Sequence, residues 1–354
     1  MSLNAEDLEP DGFSGFFPEQ DEFAVSEGVQ SGGRWALKRE LQAAYRGTFG
    51  ARMYLVGGST IGLKAYTSTL VEVDGELLDL CSGVDGPRCG TGDSLINSQG
   101  GETGVAPGSS TLYYAYVSNA NGSLAPSGGS AGSEGACTPR LRLSATAPSF
   151  IQRSALGGVS TSPWQQATLG KYLGQTDQAR RWRFVGWVYT TSGSGFADSD
   201  TQRFVANYYN RIKKRLFPCP AYNNNNAVTT FTLNSGSWTA MNGGTGAKLE
   251  YISNGEDSVH FHASMSKADA GGAPTHAIAF EEGSANNIVA GKMNIVAGTY
   301  GTITVSYVAQ PGEGYRYVQF MGRNSVSHSI HADQGRNGAS ADVPESFICA
   351  EVMT

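Results

Sequence analysis

From residue 227 to the C-terminus, eight apolar or alternating segments follow one another with no helical period between any two of them. They are Val228–Leu233, Lys248–Ile252, Ser258–Met265, His276–Phe280, Met293–Val296, Thr302–Val308, Tyr315–Met321 and Phe347–Met353. An apolar sheet face must be covered by another layer, and no helix is available here to cover it. A helix-free series of strands must therefore close its core sheet against sheet. This predicts a β-sandwich or jelly roll over residues 227–354, with Pro311-Gly312-Glu313-Gly314 joining two strands.

The same pattern extends upstream. Met53–Val56 is short and apolar, and Thr111–Val117 is rich in tyrosine. Arg140–Ser144 alternates with period two. Thr69–Val73 and Glu76–Leu80 flank Asp74-Gly75, a pair that supplies the positive φ angles of a tight hairpin turn. Arg181–Tyr189 reads as a long strand, with Arg181 and Arg183 on one face and Trp182 and Phe184 on the other, closed by Ser192–Gly195. Gly/Ser-rich stretches at 98–110 and 121–136 read as surface loops. Glycine supplies 47 of 354 residues, and only 16% are charged, against a usual ~7% and ~25%. With 40% apolar residues the chain can still build cores. The expected fold is all-β: two sandwich or jelly-roll-like domains in series, at 51–217 and 227–354. The link at 218–226 holds Pro218, Pro220 and Asn223–Asn226.

The first 50 residues differ. Residues 1–33 carry eight acids and no Lys or Arg, whereas the remainder holds 25 basic and 23 acidic residues. Phe13, Phe16, Phe17 and Phe23 lie in this acidic stretch, which has no period and should not fold alone. It reads either as a solvated tail or as a docking arm whose phenylalanines enter pockets of a larger assembly. Residues 34–46 give the one helix signal: Leu37, Leu41, Ala44 and Tyr45 form one apolar stripe, and Gly47 follows as a stop. The stripe must pack on its own downstream domain or on copies of itself. The N-terminus lacks a basic stretch leading into an apolar run, so no signal peptide is expected. No run of 18 apolar residues exists, so no membrane insertion is expected. Five cysteines (Cys81, Cys89, Cys137, Cys219, Cys349) are too few and too scattered for a disulfide framework. A net charge of −6 argues against nucleic acid as a partner.

Three segments occur in a notable order: Tyr113-Tyr114-Ala115-Tyr116-Val117 before Asn121-Gly122, then Leu141-Arg142-Leu143-Ser144 ahead of Pro148, then Arg183-Phe184-Val185-Gly186 running to Thr190. This order resembles a β module of tailed-bacteriophage virion proteins, over roughly residues 51–217. The C-terminal part is similar to trimeric phage fibre tips in pattern only. The resemblance implies a virion appendage and a homotrimer. It would be attached to other virion proteins through residues 1–50, either as a tail fibre or adsorption protein or as a head fibre or decoration protein on the capsid.

Several constellations bear on chemistry. Gly128-Gly129-Ser130-Ala131-Gly132 has the spacing of a nucleophile elbow but not its strand–turn–helix setting. Gly243–Lys248 has the wrong spacing for a phosphate loop. Asp198-Ser199-Asp200 could ligate Ca²⁺ but lacks the further ligand positions of a recognised loop, and so reads as an Asx turn instead. Glu256-Asp257 and Glu281-Glu282 lie in expected turns as adjacent pairs, which point apart and make no ready glycosidase couple. Arg211-Ile212-Lys213-Lys214-Arg215 reads as a solvated basic face or a site for an acidic partner. His260 and His262 fall on one face of a strand, with Phe261 opposite. Two histidines are either simply exposed or, on a three-fold axis, six nitrogens for a first-row metal. No other cofactor is expected, and no enzymatic activity, a polysaccharide depolymerase being the least favoured of the three readings. Trp238, Tyr315 and Tyr317 could offer flat apolar faces to host-surface carbohydrate or protein.

Overall fold

The computed structural model describes residues 49–73, 76–80, 86–119, 139–152, 169–174, 176, 179–217, 230–233, 239–240, 248–268, 275–282, 288–294, 300–324, 328–331 and 347–354. The acidic arm with its phenylalanines, the helix expected at 34–46, the link at 218–226, Gly128–Gly132 and Trp238 lie outside them. Among the described residues the fold is all-β, with one 3-10 turn at Ala179–Arg181 as its helical element. None of their helices is long and apolar enough to cross a membrane.

The described residues divide into two compact units. One takes those up to Tyr54, Ile61–Ala106 and Tyr114–Val185; the other takes Leu55–Thr60, Pro107–Tyr113 and Gly186 onward. The expected hairpin forms: Leu70–Val73 pairs antiparallel with Glu76–Asp79, with Val73 opposite Glu76 across a two-residue connection. Ala51–Gly57, Thr60–Ala65 and Arg88–Gly90 make a three-stranded sheet. The Tyr-rich, Leu-x-Leu-Ser and Arg-Phe-Val-Gly segments become adjacent strands of another sheet. Pro139–Ser144 lies beside Leu112–Asn119, which lies beside Trp182–Tyr189. The Leu-x-Leu-Ser segment does not keep the two faces its alternation predicts: Leu141, Arg142, Leu143 and Ser144 are all buried, and the Ser144 hydroxyl donates to the Ile96 carbonyl at 2.7 Å.

Trp182–Tyr189 departs from its expected two-faced character. Every residue from Trp182 to Val188 is buried, Arg183 included. Arg183 lies opposite Tyr172 of Leu169–Tyr172, and its guanidinium reaches Glu72 of the hairpin. A charge can sit there because a buried carboxylate meets it.

The second unit is sandwich-like. One sheet runs in the order Lys213–Leu216, Phe347–Met353, Val259–Ala268, Tyr300–Ala309. The other runs Gln202–Arg203, Lys248–Ser253, Gly314–Asn324, Thr275–Glu282, Ile288–Asn294. Leu216, Phe261, Val305, Ile348, Ala350 and Val352 from the first share a buried core with Leu249, Tyr251 and Val318 from the second. Tyr300–Ala309 and Gly314–Asn324 belong to different sheets, so Pro311–Glu313 carries the chain from one layer to the other. Gly314 takes a φ of 121° at this crossing, a conformation that favours glycine.

A division at 218–226 would separate Gln202–Arg203 and Lys213–Leu216 from the C-terminal strands. The structure joins them instead. Gln202 lies opposite Glu250 in a parallel pairing, and Lys213–Leu216 pairs antiparallel with Ala350–Met353. Glu281 and Glu282 end the strand Thr275–Glu282 and do not form a turn.

Candidate functional site

Alternation in two paired strands builds one candidate surface on the second unit. In Lys248–Ser253, Leu249 and Tyr251 point into the core; in Gly314–Asn324, Val318 does. Lys248, Glu250, Tyr315 and Tyr317 therefore share the opposite face. The register sets Glu250 against Tyr317 and Ile252 against Tyr315. The Tyr315 hydroxyl donates to Glu250 Oε1 at 2.5 Å. Lys248 Nζ donates to the same oxygen at 3.0 Å, and Gln202 Nε2 to Glu250 Oε2 at 2.8 Å. The Lys248 ammonium also stands 4.5 Å from the Tyr317 ring centroid, within cation–π range.

Glu250 is tuned by opposing effects. Burial pushes its carboxyl up, but the hydrogen bonds from Tyr315, Gln202 and Lys248 outweigh this and hold it below the ordinary value. Tyr315 moves the other way. Burial, and then its hydrogen bond to the Glu250 carboxylate, push its hydroxyl well above the usual tyrosine range.

The two tyrosines expected to contact a receptor thus differ. Tyr315 is committed to its own unit. Its ring stacks on Tyr189 at 4.3 Å with 17° between planes, and Phe204 meets it edge-on at 6.0 Å. Half-buried Tyr317 has the partly exposed Lys248–Glu250 ion pair beside it, so an aromatic ring and a charge pair stand together on this face. That combination suits contact with hydroxyl-rich or polar ligands. Glu250, Lys248 and Gln202 carried no signal in the sequence, because their convergence needs the strand register.

The second candidate surface is the outer face of the other sheet. His260 and His262 share it, opposite Phe261, as alternation requires. His260 lies across from Glu351 and Val308; His262 lies across from Cys349 and Ser306. His262 Nδ1 is 2.8 Å from Ser306 Oγ. Together with Arg215 these residues line a shallow concavity of about 460 Å³. Burial raises the Cys349 thiol above its usual range. The Lys213 hydrogen bond and the nearby Arg215 hold the Glu351 carboxyl below its own.

The basic run finds its acidic partners within the chain. Arg211 pairs with Asp257 at 2.5 Å and Glu256 at 2.7 Å, Lys214 with Asp198 at 2.5 Å, and both Lys213 and Arg215 with Glu351. These pairings also settle two of the carboxylate clusters. Asp198 is shared by Lys214 and Arg203, and Asp200 pairs with Arg203. Ser199 Oγ accepts from the backbone N–H of Gln202 at 3.2 Å, which makes the segment a hydroxyl-stabilised turn. The Asn254 side chain accepts from the backbone N–H groups of both Glu256 and Asp257, fixing that turn.

No family model matches the chain, and no curated protein matches it. Among solved structures, an exo-β-1,3-galactanase from Phanerochaete chrysosporium, determined with β-1,3-galactotriose, is 8% identical and covers 86% of this chain and 95% of that chain. Its TM-score is 0.18, a likeness too slight to carry any argument about this protein.

Proposed function

We propose that the chain is a structural protein of a phage virion, a trimeric tail-associated fibre or adsorption protein. In this reading residues 1–50 attach it to other virion proteins and the second unit meets the host surface. The observation that carries the reading is the placement of the three phage-like segments. They are neighbouring strands of one sheet, Pro139–Ser144, Leu112–Asn119 and Trp182–Tyr189, and not scattered stretches of similar composition. Each places its marking residues in a buried role: Tyr113 and Tyr116 in the first, Leu141, Leu143 and Ser144 in the second, and Arg183 on Glu72 in the third. The all-β build supports the same reading. So does the Lys248–Glu250–Tyr317 surface, which offers charge and an aromatic ring together for carbohydrate or protein contact.

The test has two parts. Gold-labelled polyclonal antibody raised against the folded protein is imaged on intact particles, and adsorption is measured for particles carrying Tyr317→Ala with Lys248→Ala. Label on the tail and slowed adsorption are expected. Label on the capsid with unchanged adsorption would overturn the adsorption role and leave a head fibre or decoration protein. A surface double substitution is the right tool here. Deleting residues 227–354 would strip Lys213–Leu216 of its partner strand.

A further inference from the structure

We propose that His260, His262 and Cys349 form a binding site for one divalent first-row metal ion, zinc by preference, within a single chain. The proposal does not depend on the virion reading. Its basis is register. His260 and His262 are two positions apart on Val259–Ala268 and so stand on one face. Cys349 lies directly opposite His262 on Phe347–Met353. Directly opposed residues bring their Cβ atoms to about 4.5–5.5 Å, a separation that a metal with bonds of about 2.0–2.3 Å to nitrogen and sulfur can bridge. Two imidazoles and one thiolate are a donor set suited to tetrahedral zinc. All three residues line the same concavity.

As placed, no group of three His, Cys, Asp or Glu side chains among the described residues could hold an ion. The proposal therefore requires the three side chains to turn toward one another; His260 is exposed and His262 and Cys349 are half-buried, on a face open enough for rotation. One orienting contact is already present. With Ser306 Oγ at 2.8 Å from His262 Nδ1, Nε2 is the nitrogen that would turn to the metal. This is the outer contact that metal-bound histidines ordinarily keep. Glu351 remains with Lys213 and Arg215, so water takes the fourth position. This site differs from a histidine-only site on a trimer axis in holding one ion per chain and one sulfur.

Purified full-length protein is titrated with Co²⁺, and its zinc-loaded form is measured by X-ray absorption. The expected result is one ion per chain, a thiolate-to-cobalt charge-transfer band, and a sulfur at about 2.3 Å from zinc. Cys349→Ser should abolish the band. His260→Ala and His262→Ala should each weaken binding at least tenfold, and Ser306→Ala about tenfold, as loss of an outer-sphere partner does. Three results would overturn the proposal: one ion per three chains without sulfur, a band unchanged in Cys349→Ser, or no stoichiometric binding. The sulfur distance is read on the unsubstituted protein, so a variant that misfolds leaves the test intact.

Discussion

Arg183 Nη1 lies 2.6 Å from Glu72 Oε2 and 2.5 Å from the Glu72 carbonyl oxygen, joining residues 111 apart in sequence. Arg183 is 1% exposed and its partner side chain 11%. Tyr172 donates a further hydrogen bond to the same carboxylate oxygen at 3.4 Å. Removing one partner would strand the other charge in the interior. Glu72→Ala should therefore destabilise the protein by about 3–5 kcal/mol. Replacing both, as Glu72→Leu with Arg183→Met, should cost clearly less than the sum of the single changes. Urea denaturation of the three variants measures the difference; equal additive losses would show that the pair is not coupled.

Glu250 predicts an acid limb of the stability profile. Its carboxyl titrates below the ordinary 4.5 in the folded protein. A depressed folded value means that the unfolded chain binds protons first as pH falls. The contribution is full above about pH 5 and is lost as pH drops through the folded value. Glu250→Gln should flatten this part of the curve. Tyr315→Phe removes a hydrogen bond to a charged acceptor, costing about 1.5–3 kcal/mol near neutrality, and should move the acid loss to higher pH. Tyr315 adds an alkaline limb of its own. Its hydroxyl titrates above 10.0 in the fold, so stability falls as pH rises past about 10. Denaturation midpoints measured from about pH 3 to pH 11 test both limbs.

Gly86 admits no side chain. A Cβ built there would sit 2.3 Å from the Leu63 carbonyl oxygen, a backbone atom that cannot rotate away. The Leu63 N–H is itself held by the Pro87 carbonyl at 3.0 Å, so the two segments are fastened together at this point. Gly86→Ala should lower stability by about 1–3 kcal/mol, the scale of forced overpacking. Gly92→Ala, where a Cβ meets nothing within 4 Å, serves as its control. Thermal melts of the two variants should separate clearly; overlapping melts would contradict the close approach.

The N-terminal segment yields a prediction from sequence alone. A chain beginning at Gly33 should keep its β-type circular dichroism and melting transition yet fail to join the particle. On the proposed trimeric reading, light scattering should give a trimer mass that Leu41→Asp lowers and Ser130→Ala leaves unchanged; a monomer mass for the unsubstituted chain would overturn the trimer. Full incorporation of the shortened chain would remove the docking role of Phe13, Phe16, Phe17 and Phe23.

Local pattern was enough to determine the all-β class and most of the long strands, but Thr60–Ala65 had no reading and Ile288–Asn294 meets the expected Met293–Val296 only at Met293 and Asn294. Phe347–Met353 emerges with the bounds its alternation implies, and Asp74-Gly75 joins two strands in the expected register. These features follow from the two-residue period of a pleated strand and from turn chemistry, both of which act between near neighbours. Short strands such as Gln202–Arg203 and Lys213–Leu216 were not legible, because a charged segment becomes a strand only when a distant edge offers it hydrogen bonds. The same holds for the sites. Alternation alone set His260 and His262 on one face, but Cys349 joined them only through the pairing of Val259–Ala268 with Phe347–Met353. Nothing near Arg183 in sequence announces Glu72, and nothing near Tyr315 announces Glu250. Such charges are buried or held in pairs only when folding brings together carboxylate and cation from distant segments, and that choice belongs to the tertiary structure.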